Sequence, residues 1–210
     1  MENYESKLLS INTDEVPLIK DCIAYAEFSF LESIKTTDAY ECALRKLAEK
    51  LPYKTFSWPS FGQYREDWYR VEVGEFRHEL QYCERGSCQV RESFENLIDL
   101  SYQILKIVSC SLTPSSIKIA EALDRIKDQR LLIWLRMSSE ICHMFQINHN
   151  FGMRMLKANV TWMCEELVRM RVFNKPADAF KSEKHIVQGL TLSGLSKSAA
   201  SQLYNELKNT

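Results

Sequence analysis

Two Glu-x-x-His pairs, Glu75 with His78 and Glu140 with His143, occur in a chain that has only four histidines. On an α-helix a spacing of three puts carboxylate and imidazole on one face, where both can reach one metal ion. Further glutamates such as Glu41 and Glu95 would have to complete the site, yet both fall on the polar sides of their helices. Glu75 also lies in a stretch with strand character, where residues three apart point to opposite faces. His78, Cys83, Cys88 and Cys110 form a second set, since thiolate and imidazole are the ligands zinc prefers, but their spacing is not that of a Cys-x-x-Cys knuckle. Solvated carboxylates, core histidines and packed or turn cysteines account for the same residues, and no cofactor is expected. Gly-x-Gly-x-x-Gly, the Walker loop, Gly-x-Ser-x-Gly and His-Glu-x-x-His are all absent.

The paired Glu-x-x-His resembles the iron-ligating signature of ferritin-like bundles, which implies a di-iron enzyme as one reading. A second local pattern lies at Leu192–Leu207, LSGLSKSAASQLYNEL: a glycine turn, a serine cap, and Ala200, Leu203 and Leu207 on one side. This resembles the turn and recognition helix of a helix-turn-helix module. The resemblance implies that Lys197, Ser198, Ser201 and Gln202 face a groove of nucleic acid, where their donors meet phosphates and base edges. It covers under a tenth of the chain, and the preceding helix departs from the pattern at Gly189 and Leu190. Arg154 and Lys157, off the apolar stripe of a helix upstream, are further candidate contacts to nucleic acid.

The elements that must position these residues are mostly helices. From Arg130 to Phe173 the chain reads as two core helices broken at Asn148–Gly152. Met153, Leu156, Val160, Met163, Leu167 and Met170 recur at spacings of three and four, a stripe that serves either as core or as an interface. Upstream, a helix that opens at Thr13–Pro17 and runs to about Lys35 is expected to bury Leu18, Ile19, Cys22, Ile23, Ala26, Phe30 and Ile34, and a second to bury Tyr40, Ala43, Leu44, Leu47 and Leu51 before Pro52. Between Tyr53 and Val90 the period changes: Tyr69, Val71 and Val73 alternate with Arg70 and Glu72, and Cys83–Cys88 is suited to a hairpin. The many aromatics there wedge between helices or, alternatively, form a stacking platform for bases. Helix resumes at about Glu92.

With six glycines and five prolines in 210 residues, tight turns are few. The expected fold class is therefore all-α: a compact multi-helix bundle with a small β-hairpin within 66–90, divided into an acidic lobe over 1–110 and a basic lobe over 111–210. The first 110 residues carry 13 Lys/Arg against 19 Asp/Glu, and the rest 14 against 9. Seven scattered cysteines suit reduced, packed thiols of a cytoplasmic or nuclear protein. Neither an export signal nor an apolar run of membrane-spanning length is present, so no membrane partner is expected. The leading expectation is a non-enzymatic α-helical interaction protein, a regulator or assembly subunit that binds a protein partner or itself. Nucleic-acid binding through the basic half is the alternative.

Overall fold

A computed structural model describes residues 23–50, 58–110, 129–192 and 195–209. They fall into two compact units, one within residues 21–112 and one from 113 onward. Among them stand eight helices, a 3-10 turn and a four-stranded mixed sheet. The all-α expectation is thereby corrected: the N-terminal unit is an α/β structure.

Its first helix is short, α1 (Tyr25–Ser29), and runs into a 3-10 turn over Phe30–Ser33. Ile23, Phe28 and Leu31 point inward, while Ala26 is exposed and Phe30 is 68% exposed. The helical stripe expected through Phe30 fails because the chain is extended at Ala24 and tightens to 3-10 at Phe30, so Ile23, Ala26 and Phe30 do not share the face of one helix. Helix α2 (Thr37–Ala48) opens on Thr36, whose hydroxyl accepts the Ala39 N–H at 3.3 Å, with Asp38 in the first turn and Arg45 and Lys46 in the last, as the helix dipole favours. It buries Tyr40, Leu44 and Ala48. The Tyr40 hydroxyl meets Ser101 Oγ at 2.8 Å, and Ser101 in turn donates to the Leu97 carbonyl.

The sheet runs β1 (Ser60–Phe61), β2 (Trp68–Val73), β3 (His78–Glu84) and β4 (Ser87–Phe94), in that spatial order. β1 is parallel to β2, and the other neighbours are antiparallel. The alternation in β2 holds, with Val71 and Val73 buried. The expected hairpin is present, but pairing extends beyond Val90, because β4 stays opposite β3 until Phe94 faces His78. Arg85 and Gly86, with φ of +53° and +78°, make the two-residue turn between β3 and β4. Leu80 faces Glu92 and Gln81 faces Val90, so Arg91 is a bulged extra residue. Helix α3 (Leu97–Cys110) then packs across β3 and β4. Its first N–H groups are taken by a distant residue: Glu32 accepts from Leu97 at 3.2 Å and from Ile98 at 3.0 Å.

Scarcity of glycine was a poor guide because a meander needs few tight turns. Asp67 and Arg85 also adopt positive φ without being glycine.

The C-terminal unit is helical throughout its described residues: α4 (Gln129–Ile147), α5 (His149–Arg169), α6 (Pro176–Lys181), α7 (Glu183–Leu192) and α8 (Lys197–Lys208). Asn148 alone separates α4 from α5, and its side chain accepts from Asn150 N at 2.9 Å and Phe151 N at 3.3 Å. The break expected over five residues is thus a single capping residue. At Gly152 the two helices touch: an added Cβ would stand 2.3 Å from the Phe145 ring. Met153, Leu156, Met163, Leu167 and Met170 are buried within this one chain, so the apolar stripe is core; Val160 is half-buried.

Candidate functional site

The residues first suspected of metal chemistry do not assemble. Glu75 sits on the exposed turn between β2 and β3, and His78 begins β3, so their spacing of three lacks the shared face a helix would provide. His78 is 8% exposed with its Nδ1 buried and without a hydrogen-bond partner, and burial holds its pKa below the usual value, against the pull of Glu32 and with the help of Lys35. Glu140 and His143 do share a helix, α4, with His143 fully inside and Glu140 half-buried. Among the described residues no three His, Cys, Asp or Glu side chains stand together as a metal site would require.

The zinc set is corrected more directly. Cys83 and Cys88 face each other across the β3–β4 turn and are joined by a disulfide, their Cα atoms 4.0 Å apart. Five residues apart around a two-residue turn is the register that brings two side chains opposite. The expectation of seven reduced thiols therefore fails on hairpin geometry, which an odd cysteine count does not reveal. His78 lies at the other end of β3, roughly 16 Å away at strand rise. Cys142, inside α4, has its thiol 3.5 Å from the Leu190 carbonyl and is pushed well above the thiol range by burial; Cys164 is pushed up to about 11 by the same cause. Neither is a ready thiolate.

Of the helix-turn-helix pattern, the inward set is buried as expected. Ser196 caps α8 by accepting from Ala199 N at 3.2 Å, and Ala200, Leu203 and Leu207 are buried. Lys197, Ser198 and Gln202 are exposed and Ser201 is half-buried. Helix α7 packs on α8, and α8 is further tied by Tyr204, whose hydroxyl donates to the Phe180 carbonyl at 2.7 Å. Gln202 donates to Glu206 Oε1 at 3.0 Å, and the other oxygen of Glu206 lies 3.0 Å from His149 Nε2, so a carboxylate interrupts this face. Arg154 and Lys157 are exposed on α5.

What sequence reasoning passed over is a half-open cleft of about 900 Å³ in the N-terminal unit, between α2 and the β1 end of the sheet. One wall is the stripe Asp38, Glu41 and Arg45, at helical spacings of three and four. The other is Trp58, Phe61, Gln63, Arg65 and Trp68. Its rings are held in place. The Trp68 indole donates to the Trp58 carbonyl at 2.7 Å, and the Trp58 and Phe61 rings lie 6.5 Å apart. The Arg45 guanidinium lies 5.1 Å from the Trp58 ring centre and 5.7 Å from that of Phe61, with its Nε bonded to Glu41 at 2.7 Å. Arg65 stacks on Trp68 at 5.3 Å. The signal that could have located the site was the interleaving of Arg65 and Arg70 among Trp58, Phe61, Trp68 and Tyr69. The aromatics of this segment are expected from sequence to wedge between helices, whereas Trp58, Phe61 and Trp68 line a cleft against a sheet.

Compared with protein-family models, curated proteins and solved structures, the chain matches none. Among the described residues no helix is long and apolar enough to cross a membrane.

Proposed function

We propose that the protein acts by binding another protein, without catalysis of its own, and that the cleft of the N-terminal unit is its docking site. The observation that carries this reading is the cleft's composition: two tryptophans, a phenylalanine and two stacked arginines in a half-open space. Aromatic residues and arginine are the side chains most enriched where proteins meet, because they offer large rigid contact area together with directed donors. A photo-crosslinking residue placed at Gln63 should capture a discrete polypeptide, and Arg65→Glu should abolish that capture. Capture of nucleic acid alone would overturn the reading, as would equal capture from a position on β3 such as Glu79.

Nucleic-acid binding through α8 is the second reading. It is favoured by the exposed Lys197, Ser198 and Gln202 and by a surplus of positive charge, eleven Lys/Arg against six Asp/Glu over residues 129–209. Lys197→Glu should then abolish salt-dependent retention on a DNA column while leaving the melting temperature nearly unchanged. Unchanged retention would remove α8 from consideration.

A further inference from the structure

We propose that the cleft takes an extended, proline-rich peptide segment that carries a basic residue. This rests on the protein-binding reading and narrows it to one class of partner. Three recognition modes are open to a peptide at such a place, and the geometry separates them. Strand addition draws its affinity from main-chain bonds along a sheet edge, but the strand nearest the cleft, β1, is two residues long. A helix laid in a groove needs a continuous apolar trough, whereas Asp38, Glu41, Arg45 and Arg65 stand among the rings here. A polyproline helix makes no internal hydrogen bonds, so its carbonyls need donors and its flat rings need aromatic faces. The cleft supplies both: Gln63 and Arg65 as donors, and the half-buried Trp58 and Trp68 as faces, with Phe61 buried behind them.

Charge decides which polymer is favoured. Residues 23–110 carry eleven Lys/Arg against fourteen Asp/Glu, a slightly acidic balance that gives a phosphate chain no net attraction. Asp38 and Glu41, one turn apart on α2, are the acids of the helix wall; Glu41 is already bonded to Arg45, whereas among the described residues Asp38 is in no ion pair. An arginine or lysine of the ligand is the natural partner of Asp38. The bond from Trp68 to Trp58 and the stacked guanidiniums fix the other wall before the ligand arrives, which lowers the ordering cost of binding.

The test uses the full chain and three fluorescein-labelled probes: an oligoproline peptide ending in arginine, the same peptide ending in glutamate, and oligothymidylate. Anisotropy should show saturable binding of the arginine peptide, with the glutamate peptide weaker by about tenfold or more. The double variant Asp38→Lys, Glu41→Lys should reduce the affinity for the arginine peptide by a similar factor at unchanged circular dichroism. Should that variant lose its fold, the charge preference between the two peptides on the unaltered protein still decides. Equal binding of both peptides, or undiminished binding by a folded double variant, overturns the assignment. No saturation by either peptide, while the Gln63 crosslink to a polypeptide persists, rules out the proline-rich class and leaves protein binding standing. Saturation by oligothymidylate alone, with the crosslink absent, overturns both.

Discussion

Gly152 and His78 each depend on a neighbour that lies close in space. Because the Phe145 ring and Cα occupy the position a methyl would take, Gly152→Ala must push α4 from α5. Overpacking of this kind costs about 1–3 kcal/mol, and urea denaturation should show a loss in that range despite alanine's better helix propensity. His78 gives a pH dependence of determined sign. Its folded pKa is lowered by burial, so between the ordinary histidine value and the folded one the unfolded chain binds more protons. The stability it lends is complete above a pH of about 6.5 and is lost as pH falls from there through the folded pKa. His78→Gln should flatten that part of the pH–stability curve, and an unaltered curve would show that the ring is not desolvated.

At the scale of elements, the β3–β4 hairpin joins three separate restraints. Arg85 and Gly86 bend it, the Cys83–Cys88 disulfide ties it, and the loop before β2 holds its tip: Gly86 N donates to the Tyr64 hydroxyl at 2.7 Å, and Glu66 accepts from both Tyr64 and Arg85 N. Peptide mapping without reductant should recover Cys83 and Cys88 in one fragment lighter by two hydrogen atoms than after reduction. The loop closed is short, so replacing both cysteines by serine should cost at most about 2 kcal/mol on the chain-entropy account. The N-cap of α8 offers a comparable measure at the other unit: Ser196→Ala leaves the Ala199 N–H without its acceptor and should cost about 1 kcal/mol.

For the molecule as a whole, each unit is described with its own buried interior: Phe28, Leu44, Val71, Leu80 and Leu100 in one, Phe145, Leu156, Met163, Leu167 and Leu203 in the other. Since the α5 stripe is covered inside one chain, Leu167→Ala should cost ~2–5 kcal/mol through lost transfer energy and a residual cavity. That loss, and the wild-type urea midpoint, should not vary with protein concentration. A midpoint that rises with concentration would mean that a second copy covers this core.

The sequence by itself determined what is local. The serine cap at Ser196, the inward set Ala200, Leu203 and Leu207, the α5 stripe and the alternation through Val71 and Val73 follow from side-chain period and capping chemistry, which need only near neighbours in the chain. Tertiary structure decided what depends on register and long reach. Glu32 caps a helix that begins 65 residues later, and β1 pairs with β2 to extend a hairpin into a sheet. Cys83 meets Cys88 only once the turn fixes their register. The cleft belongs to the same class: Asp38, Glu41 and Arg45 show helical spacing and Trp58 to Trp68 show aromatic crowding, but their meeting depends on α2 packing beside β1 and β2. No local pattern encodes that contact, because the buried Tyr40, its ring 6.2 Å from that of Phe61 in β1, orients the helix.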